Sequence, residues 1–239
     1  MVVVGGGSAD LAPTEFVGYT ELQKEGQVAA LLCERQVEGQ EATREMADAA
    51  GCGEEIEVVL DITPFYAESG GQVGDWGRLE VEGGGGVLSV TGTRKDRGGV
   101  WMHQARVEEG QVAVGDRVVA TVDGRLRKRA QAHHTATHLL QAALKEVIGS
   151  DTSQAGSLVA FDRLRFDFNS PRGLTAEEVE RVEGMVNGWI EEAVPLTTRV
   201  MPLAEARKAG ATAMFGEKYG EEVRGSCGSW GMSVLTSET

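Results

Sequence analysis

Two histidines, His134 and His138, lie four residues apart in a stretch whose neighbours predict a helix. On a helix, side chains at this spacing point the same way, so both imidazoles can bind one metal ion. The apolar residues nearby gather on one helical face, and the histidines fall nearly opposite its centre. Those apolar residues are Ala136, Leu139, Leu140, Ala143, Leu144 and Val147. We therefore expect the pair to face a cleft and not the core; a surface or structural pair is the alternative.

The residue after His134 limits the chemistry that the pair can support. A metalloprotease motif carries a glutamate there as the general base, whereas this chain has Thr135. Protease chemistry is thus disfavoured, and any hydrolysis needs a metal-bound water or a base from elsewhere. The sequence also contains no phosphate-binding loop and no glycine fingerprint for dinucleotides.

Positive charge is concentrated just before the histidines, at Arg125, Arg127, Lys128 and Arg129. The whole chain has a formal charge of −14, so nucleic-acid binding needs a local patch and cannot use the overall field. Positive charge at the start of a helix opposes the helix dipole and does not stabilise that helix. This favours a ligand-facing role over the alternative, a solvated charge run.

A glycine pair forms a further candidate binding element, Gly70-Gly71-Gln72, preceded by Ser69. Paired glycines permit positive φ and let a backbone approach a ligand closely. A structural turn is the alternative interpretation.

The elements that must position these residues fall into two parts. The chain has 239 residues, 41% of them hydrophobic, which is enough for one large domain or two ordinary ones. Residues 1–13 are expected to be a loose leader. Residues 14–122 alternate short strands with glycine turns and predict a small antiparallel β-barrel, within which residues 35–50 are helical or irregular. The predicted strands are Glu55–Leu60, Arg78–Glu82, Val87–Val90, Val100–Val107 and Arg117–Val122.

Residues 123–239 have the pattern of a second domain, in which helices pack on an antiparallel sheet, so the fold class is α+β. Thr175 and Glu178 have capping-box spacing and begin a helix with an apolar stripe of Val179, Val182, Val186, Trp189 and Ile190. The other predicted elements are a helix over 126–148, a hairpin of Ser157–Ala160 and Arg163–Phe168, a strand at Leu196–Val200 and a short helix at Leu203–Ala209.

The cysteines and the hydropathy pattern indicate the compartment. Cys33, Cys52 and Cys227 are an odd, widely spaced set, which favours a reducing compartment over a disulfide framework. No stretch is long and apolar enough to span a membrane, and the apolar start is too short for a secretory signal. We expect no membrane partner, no targeting segment in this chain, and a cytoplasmic or organellar (plastid or mitochondrial) location.

Five motifs in order make the chain resemble alanyl-tRNA synthetase over about residues 14–224. They are Thr63–Asp75 (TPFYAESGGQVGD), His134–Leu140 (HTATHLL), Gln154–Val159 (QAGSLV), Arg163–Phe168 (RLRFDF) and Ala213–Gly220 (AMFGEKYG). The resemblance implies the central region of that family, a translation-factor-like β-barrel followed by the editing domain. The family's aminoacylation domain, with its ATP and alanine sites, has no counterpart in this sequence.

The resemblance also implies a reaction, the hydrolysis of tRNA for alanine that carries serine or glycine by mistake. His134 and His138 match the two helix-borne zinc ligands of the family, and Gln154 matches a glutamine near the editing pocket. Gly70-Gly71-Gln72 matches the glycine-rich element of the barrel. The implied partners are the acceptor end of the tRNA and the remainder of a synthetase.

The sequence departs from the family where the metal site should be completed. The family has a later Cys-Gly-Gly-Thr-His segment, whereas this chain reads Gly225-Ser226-Cys227-Gly228-Ser229 and has no histidine after His138. Zinc normally takes three or four protein ligands, so we expect an incomplete site, with Cys227 the one thiolate left to join it, and impaired hydrolysis. We also expect a truncated, spliced or frame-altered version of a longer protein. The alternatives are a free-standing trans-editing deacylase and a catalytically inert tRNA-contacting module.

Overall fold

The structure, a computed structural model, describes residues 11–35, 43–193, 197–208, 221–227 and 233–237. Most of the predicted leader, the Ala213–Gly220 motif and residues 228–232 lie outside the described residues. Contacts divide the chain into two compact units. The first comprises the residues up to Ser69 together with Val73–Arg129, and the second comprises Gly70–Gln72 together with the residues from Ala130 onward. The predicted domain boundary is a single division after residue 122. In the structure the earlier segment Gly70–Gln72 also belongs to the second unit.

The first unit is built from strands, with a short turn at Glu82–Gly84. The strands are β1 (Glu15–Phe16), β2 (Gln23–Arg35), β3 (Thr43–Ala47), β4 (Ala49–Gly51), β5 (Glu55–Leu60), β6 (Ile62–Thr63), β7 (Gly77–Val81), β8 (Gly86–Lys95), β9 (Trp101–Ala113) and β10 (Arg117–Val122). Helix α1 (Gly124–Ile148) begins in this unit and continues into the second. The remaining elements are β11 (Gln154–Val159), β12 (Leu164–Phe168), α2 (Ala176–Glu192), β13 (Thr197–Pro202), α3 (Leu203–Lys208), β14 (Glu222–Cys227) and β15 (Ser233–Ser237).

Six antiparallel strands of the first unit close into a barrel. The order is β10-β7-β8-β9-β5-β2, and β2 returns to pair with β10, as in Val118↔Gly26. Alternate residues of the strands point inward and form one apolar cluster, which includes Val28, Leu31, Val58, Leu79, Leu88, Val107, Val118 and Ala120. The predicted antiparallel barrel and the α+β class are confirmed.

The interpretation of residues 35–50 as helical or irregular is wrong for the part that the structure describes. Thr43–Ala47 pairs antiparallel with the end of β2, in a register that places Ala47 opposite Leu31. Ala49–Gly51 pairs with the end of β9. Glu, Met and Ala are good helix formers, but the open edges of β2 and β9 offer backbone partners, and this tertiary pairing outweighs local propensity.

The barrel contains a fully buried histidine, His103 on β9. Its Nδ1 lies 2.8 Å from the carbonyl oxygen of Val58, which can only accept, so the ring proton sits on Nδ1. Its Nε2 then accepts the hydroxyl proton of Thr63 at 2.8 Å. Burial lowers the pKa of His103 from 6.5 to about 4, so the ring is neutral near pH 7.

The barrel is therefore expected to lose stability on mild acidification. Because the unfolded chain takes up the proton near pH 6.5 and the folded chain only near pH 4, stability falls as the pH drops through that interval. The contribution of His103 between pH 7 and pH 5 is about 2 kcal/mol. Urea unfolding followed by tryptophan fluorescence at the two pH values measures it. A His103→Gln variant should show a smaller loss by that amount; an equal loss in the variant would contradict the assignment.

The second unit has its main apolar cluster between α1, α2 and β12. Ala143, Leu144 and Val182 are buried there, and Leu140, Val147, Ile148, Phe166, Phe168, Leu174, Met185, Val186 and Trp189 pack against them. The predicted stripe of α2 is confirmed at its centre, but Val179 and Ile190 are exposed. Those two residues lie in the first and last turns of α2.

The predicted boundaries of the local elements in the second unit are largely confirmed. Strands β11 and β12 form an antiparallel hairpin, as in Leu158↔Arg165. Thr175 caps α2: its hydroxyl accepts from the backbone of Glu178, whose carboxylate accepts from the Thr175 backbone. Strands β13, β14 and β15 form a further antiparallel sheet, and α3 packs on it through Ala206 and Val223. Within the described residues, no helix is both long and apolar enough to cross a membrane.

Candidate functional site

Helix α1 places the rings of His134 and His138 side by side. The residues are one turn apart, and their ring centroids are 4.9 Å apart at an interplanar angle of 48°. Both rings belong to the second unit. The predicted pairing of the two imidazoles on one side of the helix is therefore present in the structure.

The histidines are more enclosed than the apolar pattern of α1 suggested. His138 is only 9% exposed and His134 is partly buried. The reason is that other segments of the second unit cover this side of the helix. Gln72 contacts His134, and His133 donates from Nδ1 to the carbonyl oxygen of Ala160 at 2.7 Å.

Burial determines the charge state of the pair. It lowers the pKa of His134, and it lowers the pKa of His138 to about 3, with the neighbouring His134 as a second and smaller cause. Both rings are thus neutral near pH 7. A neutral imidazole has a free nitrogen lone pair, which is the form that binds a metal ion.

The glycine element supplies a partner for His134. The Nδ1 of His134 lies 2.7 Å from Oε1 of Gln72, and the side chain of Gln72 is buried. An amide oxygen accepts, so the ring donates its Nδ1 proton and its Nε2 carries the lone pair. Hydrogen bonds of this kind are typical of metal-binding histidines.

Gly71 holds this segment against strand β11. Its carbonyl oxygen accepts from the backbone of Val159 at 2.8 Å, and Gln72 forms a parallel bridge with the same residue. The φ of Gly71 is +83°, and a Cβ there would lie 2.5 Å from the carbonyl oxygen of Ser157. The close approach that glycine permits is thus, in this structure, an approach to β11.

The second unit contains more buried polar atoms without a hydrogen-bond partner than the first, among the described residues. Among the described residues there are five such side-chain atoms, and three of them are His138 Nε2, Gln154 Oε1 and Ser157 Oγ. Each buried polar atom left unpaired costs about 1–3 kcal/mol, so a group of them calls for an explanation. A ligand that pairs with them would provide one.

The donor atoms fit a zinc ion in type. His134 and His138 each present a neutral imidazole, and the buried His138 Nε2 has no partner in the described part of the chain. Across the described residues, no cluster of three or more His, Cys, Asp or Glu side chains is arranged to hold a metal. The backbone of Cys227 pairs with Thr197 and Ser233, but its side chain lies outside what is described. Two imidazoles would need further donors to complete a zinc site.

Arg127 does not belong with the other cations before the histidines. Its guanidinium is buried and forms a bidentate ion pair with Asp75, and it also donates to the carbonyl oxygens of Gly18 and Pro64. All of these groups belong to the first unit. The guanidinium of Arg127 is thus bound within the barrel, so the expectation that Arg127 contacts a nucleic acid is wrong. The side chains of Arg125, Lys128 and Arg129 are exposed.

Sequence reasoning missed Ser157 as a candidate site residue. Strict alternation along β11 puts residues 154 and 157 on opposite faces, but the register shifts between Gln154 and Gly156. Only a sequence signal for this β-bulge could have corrected the expectation of strict alternation. Gly156 beside Ala155 is a weak signal of that kind. The role of Gln72 beside His134 was also not foreseen, because the two residues are 62 positions apart.

The comparisons with known proteins identify the family. Residues 8–126 match the family model of the class II tRNA synthetases (A). The chain is 55% identical over 216 residues to the alanine–tRNA ligase of Thermus thermophilus, and 54% identical over 211 residues to that of Nostoc punctiforme, alignments that cover 90% and 88% of the chain. It is also 54% identical over 214 residues, or 89% of the chain, to the chloroplastic/mitochondrial alanine–tRNA ligase of Micromonas pusilla. The chain belongs to the alanyl-tRNA synthetase family, and it spans 23% of the length of each of these relatives.

Proposed function

We propose that the second unit carries an editing site, which hydrolyses the ester bond of tRNA for alanine charged with serine or glycine. The observation that carries the proposal is the pair of neutral imidazoles on α1, since His138 Nε2 is buried and has no partner among the described residues. Gln154 Oε1 and Ser157 Oγ, in the same unit, are buried and unpaired among those residues too. The family membership supports it, because the relatives are alanine–tRNA ligases and the alignments extend through this region. In this interpretation the chain contributes proofreading to such a ligase.

Each polar residue of the proposed editing site has a separate role. His134 and His138 would hold a zinc ion through their Nε2 atoms. When bound, zinc polarises a carbonyl group or lowers the pKa of a bound water towards ~7. Gln154 Oε1 is a buried acceptor that can orient a water molecule or a hydroxyl group of the substrate. Ser157 Oγ can donate to a substrate oxygen.

The three exposed cations are proposed to contact the tRNA near its acceptor end. Arg125, Lys128 and Arg129 have the i, i+3, i+4 spacing that puts them on one face of α1. In a chain of net charge −14, such a local group is what phosphate contacts require. These contacts are sequence-independent and would position the substrate.

Zinc analysis of the purified chain, paired with a deacylation assay, tests the proposal. We expect stoichiometric zinc and hydrolysis of seryl-tRNA for alanine, with much slower hydrolysis of the correctly charged alanyl-tRNA. A chelator should stop the reaction, and added zinc should restore it. Zinc-independent hydrolysis would contradict the metal assignment. A protein with neither zinc nor turnover, but with tRNA affinity, would instead be a tRNA-contacting module.

A further inference from the structure

We propose that Gln72 is a positioning residue, which holds the proton of His134 on Nδ1 and so turns the Nε2 lone pair towards the metal. This inference rests on the proposed function, since it concerns the same histidine pair. It gives the glycine element a defined role, because Gly70 and Gly71 let the backbone place the Gln72 amide beside the His134 ring.

The first step of the argument is the geometry of the contact. The Nδ1 of His134 and the Oε1 of Gln72 are 2.7 Å apart. A neutral imidazole carries one N–H, and an amide oxygen can accept but not donate. A contact of these two atoms therefore selects the tautomer with the proton on Nδ1. In water the other tautomer of neutral histidine is favoured, so the protein must supply this selection.

The second step is that Gln72 is held in place independently of His134. Its backbone bridges to Val159, and the Gly71 carbonyl oxygen accepts from the Val159 backbone. Both glycines adopt positive φ, +57° at Gly70 and +83° at Gly71. The residue Gln72 is only 7% exposed, so water competes little for its side-chain oxygen. A fixed and dry acceptor is what tautomer selection requires.

The third step is the difference between the two histidines. His138 Nε2 is buried and has no partner among the described residues, so no observed contact of that atom selects its tautomer. His134 is only partly buried, and without Gln72 its ring could turn or change tautomer. Gln72 thus acts on the one ring of the pair for which a hydrogen bond to a fixed acceptor is seen. Loss of a hydrogen bond to a metal-binding histidine typically weakens metal affinity 10- to 100-fold.

The experiment compares three variants of the full chain with the parent. Gln72→Leu removes the acceptor, Gln72→Glu keeps an acceptor oxygen at the same reach, and Gln131→Leu makes the same apolar change at an exposed position of α1. Zinc affinity is measured by competition with a chromophoric chelator. We expect about 10- to 100-fold weaker binding for Gln72→Leu, and values close to the parent for the other two.

The second readout needs neither metal nor activity. Nitrogen-15 NMR of the metal-free parent reports which ring nitrogen of His134 carries the proton, and we expect Nδ1. In Gln72→Leu we expect a shift towards the Nε2-protonated form. If the parent is protonated on Nε2, the amide is turned with its nitrogen to the ring and the inference is overturned, whatever the variants do.

The outcomes separate this inference from the proposed function. If the parent binds zinc and Gln72→Leu binds it equally well, the role of Gln72 is refuted and the editing site stands. If the parent binds no zinc, the proposed function fails, and the NMR result alone decides whether Gln72 selects the tautomer. If Gln72→Leu does not fold, Gln72→Glu and the parent tautomer still give the answer.

Discussion

Replacing His138 by leucine is expected to abolish zinc binding and deacylation while leaving the fold intact or slightly more stable. The imidazole is one of only two candidate ligands on α1, so its loss should reduce zinc affinity by more than the roughly 100-fold that supporting hydrogen bonds contribute. Its Nε2 has no hydrogen-bond partner among the residues that the structure describes. An apolar side chain of similar size there removes an unpaired buried polar atom, which is neutral or stabilising.

Two measurements check this prediction together. Zinc content and the deacylation rate should both fall to background, and Tm in the absence of metal should stay level or rise. Gln131→Ala, at an exposed site on the same helix, is the control and should change neither. A His138→Leu protein that retains zinc-dependent turnover would refute the assignment of this ring. Opposite signs for activity and stability would mark the site as one where function is maintained at the expense of stability.

Replacing Arg127 by methionine is expected to destabilise the barrel by about 3–5 kcal/mol. The guanidinium and the Asp75 carboxylate are both buried, and the carboxylate also accepts from the backbone of Tyr66 at 2.7 Å. Without its partner, Asp75 is left as an uncompensated buried charge. The carbonyl oxygens of Gly18 and Pro64 lose a donor as well.

Urea unfolding of a small variant set measures the effect. Lys128→Met makes the same change at the adjacent exposed cation and should stay within about 0.5 kcal/mol of the parent. The double variant Asp75→Asn with Arg127→Met should recover part of the loss, since no unpaired charge remains. Equal stabilities for Arg127→Met and Lys128→Met would show that the ion pair contributes nothing.

The sequence predicts this fold well where one local signal dominates. In Glu55–Leu60 and Arg117–Val122 every second residue is apolar, and these residues face the barrel core: Ile56, Val58, Leu60, Val118, Ala120 and Val122. The capping pair of Thr175 and Glu178 fixes the start of α2 in the same local way. In both cases the information lies within a few residues of the element.

Prediction fails where a distant part of the chain decides. Thr43–Ala47 becomes a strand because β2 offers an edge, which no local pattern reveals. Arg127 looks like the exposed cations beside it, but Asp75, 52 positions earlier, draws it into the barrel. The candidate site shows both cases: the spacing of His134 and His138 can be predicted from the sequence, whereas the contact of Gln72 with His134 cannot.

Three residues of the second unit, Gly70–Gln72, come from a stretch of chain that precedes its main body. In topological terms, residues 73–129 are an insertion into that unit. Deleting everything before Ala130 would remove the amide partner of His134 and the bridge to Val159. A polypeptide that starts at Ala130 therefore lacks part of this unit. To complete the unit, it needs a segment equivalent to Gly70–Gln72.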